Sequence, residues 1–158
     1  MQLTTHTDYA LRTLIILGLN APDKLTIREI SRAYGISENH LVKVVGRLTS
    51  LGYVSTTRGK DGGARLAQDP STIDLGKVVR DVEPELGVVV CLREGASQPC
   101  VIGPACKLRS VLHEATEQFL ATLSRYSLAD VLADKPQALI RLLKLHEKPA
   151  EQAAGGGL

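Results

Sequence analysis

Between Thr26 and Ala67 the chain runs helix, tight turn, helix, strand, glycine-rich turn, strand, an order that few folds accommodate. Thr26 with Glu29 three residues later is a capping-box pattern, and it opens a helix over 27–33 with Ile27, Ile30 and Ala33 as its buried stripe. Tyr34-Gly35-Ile36-Ser37 reads as a tight turn. Ser37 then caps a third helix to about Ser50, burying Leu41, Val44, Val45, Leu48 and Leu51, and Gly52 stops it. Helix, glycine-containing turn, helix is the helix-turn-helix arrangement. Tyr53–Thr57 is β-prone, Arg58-Gly-Lys-Asp-Gly-Gly63 is a turn, and Ala64–Ala67 returns as a strand. A hairpin with a basic, glycine-rich tip in that position is the wing of a winged helix.

The flanking segments are helical by the same criteria. Thr7 is the expected N-cap of a first helix, with Asp8 in the first turn, where the helix dipole favours an anion. Asn20-Ala-Pro-Asp23 ends that helix. Ser71 or Thr72 is expected to cap a short helix over 73–82, closed by Glu83 before Pro84. Beyond Cys106 an amphipathic helix reaches about Tyr126, with Leu108, Val111, Leu112, Ala115, Phe119, Leu120 and Leu123 at spacings of three and four. Such a helix spans about 30 Å, more than one small domain covers, so its stripe calls for a partner helix, most simply from a second copy of the chain. Ser127 caps a further helix over 128–134, residues 139–145 form a last apolar segment, and the tail is expected to fray.

The fold class expected is therefore mainly α: an N-terminal winged helix-turn-helix with a small β-hairpin wing, a cysteine loop, and a long C-terminal dimerisation helix. The expected divisions are a DNA-binding domain over 1–83, a cysteine-rich loop over 84–106, dimerisation helices over 107–148 and a disordered tail over 149–158.

Charge is uneven. Residues 1–80 carry eleven Lys/Arg and seven Asp/Glu, net +4, whereas residues 81–158 carry eight and ten, net −2. The basic half coincides with the winged helix and suits an anionic partner such as nucleic acid. Aromatic residues make up 3% of the chain, which argues against a surface that stacks bases or sugars. No Ser/His/Asp arrangement and no phosphate loop is visible, so an enzyme is not expected. Leu14–Leu19 is far too short to span a bilayer and no signal peptide is visible, so the protein reads as soluble and cytoplasmic, with no membrane partner.

In a reducing compartment three clustered cysteines suggest metal or redox chemistry rather than disulfides. All three lie in one sixteen-residue stretch, Cys91, Cys100 and Cys106, separated by eight and five residues. Gly95, Pro99, Gly103 and Pro104 make that stretch a loop. Thiolates suit zinc, copper(I) and iron–sulfur clusters, and three ligands are one short of four. Cys106 opens the long helix, where the dipole and free N–H groups favour a negatively charged ligand group. Zinc held by the three cysteines and His113 is the rival; His113 lies two turns up the helix, about 10 Å along its axis.

In a winged helix the N-terminal residues of the third helix meet base edges. Here these are Ser37, Glu38, Asn39 and His40. Asn39 can pair bidentately with adenine, Ser37 can donate or accept, and Glu38 can accept from cytosine. Lys43 and Arg47 suit phosphates, with Arg28 on the preceding helix a further cation. Arg58 and Lys60 at the wing tip would reach the minor groove. His40 reads equally well as an exposed helix histidine.

The motifs placed so far carry a resemblance over nearly the whole chain, from Met1 to about Leu145. They are Met1-Gln-Leu-Thr, Thr7-Asp-Tyr-Ala-Leu-Arg12, Ser37-Glu-Asn-His-Leu-Val-Lys43, Gly52-Tyr-Val54, Arg58-Gly-Lys-Asp-Gly-Gly63, the three cysteines with Pro104-Ala105, and Tyr126-Ser-Leu-Ala-Asp130. The chain resembles the iron–sulfur winged-helix transcriptional repressors. In the IscR-like branch a histidine three residues after the last cysteine completes a 2Fe–2S site; that position is Arg109 here, which cannot ligate. In the nitric-oxide-sensing, NsrR-like branch an aspartate near the N-terminus of the other subunit completes a 4Fe–4S site, and Asp8 occupies the matching position. The Cys91–Cys100 gap is longer than the family's and lies in a loop, where added length costs little. The resemblance thus implies a homodimeric, DNA-binding repressor that responds to nitric oxide. It implies a 4Fe–4S cluster on Cys91, Cys100, Cys106 and the partner's Asp8, with 2Fe–2S as the alternative. A regulator sensing iron, oxygen or cluster supply is the alternative within the family, and a DNA-binding protein with structural zinc the alternative of another class.

Overall fold

The computed structural model describes residues 2–59, 62–93 and 100–145. Lys60, part of the cysteine loop and the expected tail lie outside the described residues. The order of elements is α1 (Thr5–Leu19), α2 (Ile27–Tyr34), α3 (Glu38–Ser50), β1 (Val54–Thr57), β2 (Gly63–Leu66), α4 (Leu75–Val82), α5 (Lys107–Leu123), α6 (Leu128–Ala133) and α7 (Pro136–Leu142). The mainly helical winged-helix expectation is met.

Helix α1 is the centre of the core. Its Ala10, Leu14 and Leu17 are fully buried against Leu41, Val44 and Leu48 of α3, Ile30 of α2 and Val78 of α4. Thr26 and Glu29 form the expected reciprocal capping box. Gly35 at φ 67° makes the turn into α3, and Ser37 caps α3 by accepting from the His40 N–H at 3.4 Å. The wing strands pair antiparallel from Val54↔Leu66 to Thr57↔Gly63, and Leu25 adds a bridge to Ala64 that fastens the wing to the α1–α2 connection.

Three boundaries differ from expectation. The cap of α1 is Thr4, not Thr7; Thr4 accepts from the Thr7 N–H, and Thr7 is fully buried behind it. The cap of α4 is Asp74, because Pro70–Thr72 spends Ser71 and Thr72 in a 3-10 turn capped by Asp69. Helix α5 ends at Leu123, short of Tyr126, since the chain turns back there. The return pairs Leu75 N–H with the Tyr126 carbonyl at 3.1 Å and Leu128 N–H with the Ile73 carbonyl at 2.8 Å. Leu128 and Leu143 then enter the same core as α1, so α6 and α7 are built into the N-terminal half although they follow α5 in sequence.

Helix α5 leaves that core. It touches α4 where Gly76 allows close approach: a Cβ at Gly76 would meet the Leu120 carbonyl oxygen at 2.5 Å. Beyond that crossing its apolar stripe is uncovered, with Leu108 61% and Val111 46% exposed.

Candidate functional site

The face of α3 opposite its core residues carries Asn39, Val42, Lys43 and Gly46, spaced so that one side of the helix points to solvent. Ser37, Glu38 and His40 are exposed at its N-terminal turn, Arg28 on α2 and Arg58 on the wing. These expected DNA contacts therefore lie on exposed surface on and around α3. Arg47 differs: its guanidinium donates to the Asp81 carbonyl oxygen at 2.7 Å, so it ties α3 to the end of α4. Val42, 57% exposed, is a member of this face that charge and hydrogen-bonding arguments pass over. His40 packs its ring 6.0 Å from that of Tyr9, and the Arg12 guanidinium lies 5.9 Å from the Tyr34 ring. The helix carrying Asp8 thus sits directly against α2 and α3. Burial pushes the Tyr34 phenol up to about 12, against the pull of Arg12 and with a smaller push from Asp8.

Helix α4 and its C-cap Glu83 tie together α1, α3, Tyr53 before β1, and α5. Asp81 accepts from the Tyr53 hydroxyl at 2.7 Å and from Lys77 Nζ at 3.1 Å. Burial works to raise the Asp81 carboxyl, but the Tyr53 and Lys77 hydrogen bonds, with the Lys77 and Arg47 charges, hold it below the usual aspartate range. Arg80 pairs with Glu117 of α5 at 2.9 Å, and this hydrogen bond holds Glu117 below the ordinary range against the effect of burial. Glu83, 7% exposed, accepts from both the Thr4 N–H at 2.9 Å and the Thr4 hydroxyl at 3.1 Å. That last contact closes 79 residues of chain and sets the start of α1. In the sequence Glu83 reads only as a helix stop before Pro84; an acidic residue in that place gives no hint of a distant backbone donor.

Pro84 opens the segment that leads to the cysteines. Cys91 lies in a 3-10 turn over Val90–Leu92, and Cys106 is the N-cap of α5, where no side chain caps the first N–H groups. Cys91 and Cys106 line one cavity of about 570 Å³ with Arg109 and His113. His113 therefore reaches the cysteine cavity despite its place two turns along the helix. Cys100 is exposed outside that cavity, its carbonyl accepting from the Gly103 N–H at 2.8 Å. All three thiols are free. Val90, Val101 and Ile102 expose 63%, 97% and 64% of their surface around them, an apolar rim that no described residue covers.

Asp8 is on α1, paired with Arg12 by two contacts of 3.0 Å, and roughly half-exposed. Among the described residues no group of three or more His, Cys, Asp and Glu is gathered closely enough to hold a metal ion. The donor types fit an iron–sulfur cluster: two thiols facing one cavity, a third on the same segment, and an uncapped helix start that suits a negatively charged group. Among the described residues, one chain does not bring four ligands together.

Comparison with known proteins gives a consistent result. A family model, Rrf2, described as iron-dependent transcriptional regulator, matches residues 3–134. The chain is 48% identical over 145 residues to the HTH-type transcriptional regulator NsrR of Geobacillus kaustophilus, covering 91% of this chain and 97% of that one. It is 45% identical over 148 residues to the regulator of the same name from Bacillus subtilis, covering 93% and 100%. Among solved structures, T. potens IscR superposes with a TM-score of 0.66 at 21% identity over 94% of each chain. CymR, the global cysteine regulator of B. subtilis, superposes with 0.56 at 24% identity over 83% of this chain and 95% of its own. At these identities the structures establish the shared fold.

Proposed function

This chain belongs to the Rrf2 family of transcriptional regulators, DNA-binding and non-enzymatic, and from that premise we propose that it is a homodimeric repressor governed by an iron–sulfur cluster and released from DNA by nitric oxide. The observation that carries the reading is the arrangement of Cys91, Cys100 and Cys106 on a segment joined on one side to α4 and on the other to α5. The ligands proposed are those three thiolates and Asp8 of the partner subunit, for a 4Fe–4S cluster. The uncovered stripe of α5 and the apolar rim around the cysteines support pairing of two chains on that side.

A carboxylate is a harder and weaker ligand for such a cluster than a thiolate, so the chemistry a bound cluster supplies is one iron comparatively open to a small diatomic. The rest is done by the chain. Asp8, released from its pairing with Arg12, ties α1 of one chain to the cysteine segment of the other. Tyr9 and Arg12, on the same helix, rest against His40 and Tyr34, so a shift of α1 is felt at the recognition helix. Two half-sites fix the spacing of the two α3 helices, and a small rotation forfeits contacts on one side. Loss of the Asp8 tie moves the dimer toward geometries that bind an operator poorly.

The role proposed for Asn39 is base reading, with Ser37, Glu38 and His40 beside it. Lys43, Arg28, Arg58 and Lys60 are proposed for phosphate or minor-groove contact. Arg47 is proposed to serve DNA binding by holding α3 on α4 as well as by its charge. The test is an anaerobic gel shift with holo, apo and nitric-oxide-treated protein, with the absorption spectrum taken in parallel. Tight binding by the brown holo protein and release in both other forms is expected. Apo protein that binds as tightly as holo refutes the tie. A colourless protein holding zinc transfers the reading to a structural site in which His113 joins the cysteines.

A further inference from the structure

Gly46 stands in the middle of α3 on its exposed face. A Cβ built there meets nothing within 4 Å, and its backbone is ordinary helix. Neither packing nor a positive φ asks for glycine at this position. Glycine is nonetheless among the least favourable residues inside a helix, because it has the most backbone freedom to lose. Since nothing among the described residues accounts for it, the account lies in what the chain touches.

Gly46 lines a groove of about 500 Å³ between α3 and the wing, with Val42 and Thr49 on one wall and Thr57, Arg58 and Gly59 on the other. Val42, one turn before Gly46, is 57% exposed where a solvated helix face ordinarily carries a polar side chain. Arg58 on the opposite wall supplies positive charge to the groove, and Lys43, next to Val42 in sequence, is exposed outside its lining. A groove lined by glycines, threonines and Val42, with Arg58 on one wall, suits a DNA strand: phosphates at the rim, sugar and base edge inside. Glycine allows a foreign backbone to come close, and an apolar side chain in the major groove recognises the thymine methyl.

We propose that this groove seats one sugar–phosphate strand of the operator with Gly46 at the point of closest approach, and that Val42 packs on the 5-methyl group of a thymine in each half-site. The inference rests on the DNA-binding reading and adds two specificity and positioning residues to it. The probe is a duplex selected by the wild-type holo protein from a random 30-base-pair library, with binding followed by fluorescence anisotropy at fixed salt.

Gly46→Ala should raise the melting temperature by about 2–4 °C, through helix propensity. The same variant should lose affinity by about tenfold or more, the scale of one lost contact in a protein–DNA interface. More stable protein with weaker binding is a result no merely structural role produces. Replacing thymines one at a time by deoxyuridine removes the methyl alone; at one position per half-site it should weaken wild-type binding about fourfold, the worth of one buried methyl. Val42→Ala should be insensitive to that replacement. Gly46→Ala protein that binds as tightly as wild type overturns the close approach, and equal deoxyuridine losses in wild type and Val42→Ala overturn the methyl contact. Wild-type protein that selects no duplex is the failure of the DNA-binding reading itself, distinct from either.

Discussion

Replacing Glu83 with alanine removes a carboxylate that holds the first turn of α1 from the far end of α4. Two donors meet one oxygen: the Thr4 N–H at 2.9 Å and the Thr4 hydroxyl at 3.1 Å, at a residue 7% exposed. A hydrogen bond to a charged group contributes about 1.5–3 kcal/mol, and two bonds on one oxygen are not additive. The negative charge beside the N-terminus of α1 adds about 0.3–1 kcal/mol through the helix dipole. The loss on Glu83→Ala is therefore about 2–4 kcal/mol, or a fall in melting temperature of about 5–12 °C for a chain of this size. The damage is local at first: the α1 turn from Thr4 to Asp8 should exchange its amide protons faster, while α3 and the wing keep their protection. Glu83→Gln keeps an acceptor and loses the charge, so it should fall between wild type and alanine. Hydrogen exchange by mass spectrometry over residues 2–10, together with thermal melts of apo protein, reads both effects. A melting temperature within 1 °C of wild type, with unchanged exchange in that turn, refutes the clamp. If Asp8 is a cluster ligand, the same variant should also loosen the cluster in the reconstituted dimer, since Asp8 rides on the freed turn.

Asp8→Ala should leave the apo fold nearly untouched, because an exposed pair with Arg12 is worth less than about 1 kcal/mol. Its anaerobically reconstituted form should show an altered spectrum or faster bleaching, and an unchanged cluster returns Asp8 to a surface pair. Lys43→Ala should weaken binding to operator and random DNA alike and lower the salt slope by about 0.9, one phosphate's share. Asn39→Ala should lose affinity on the operator while random DNA is unaffected; equal losses on both remove it as a base reader. Asp81 has a folded carboxyl held below its ordinary value of 3.8, so its stabilisation is present above that value and lost as pH falls through the lowered one. Asp81→Asn should therefore melt below wild type at neutral pH, and the gap should close as the buffer is taken down through and below the ordinary aspartate range; a gap that stays constant refutes it.

Local chemistry fixed a good deal. The capping box at Thr26 and Glu29, the Ser37 cap, the glycine turn before α3 and the hairpin between Val54 and Leu66 are all short-range, and each appears as read. The exposed faces of α3 and the wing follow from helical and strand periodicity, so Asn39, Lys43 and Arg58 were legible as surface residues. The turn-rich course of the cysteine segment was legible from its glycines and prolines. The Thr4 cap and the early end of α5 were not, because each depends on a segment distant in sequence; the Asp74 cap was hidden by the turn over Pro70–Thr72 that takes up Ser71 and Thr72. Thr4 is fixed by Glu83, and α5 ends where Tyr126 and Leu128 must pair with Leu75 and Ile73. The same holds for Arg47, whose charge suggests a phosphate but whose guanidinium is taken by the Asp81 carbonyl. It holds for Gly46, unremarkable as a letter and telling only when the space around its missing Cβ is known to be empty. Sequence patterns determine elements because caps, turns and periodicity act within a few residues. Contacts closed over tens of residues, and the empty space beside a residue, exist only once the chain has folded back on itself.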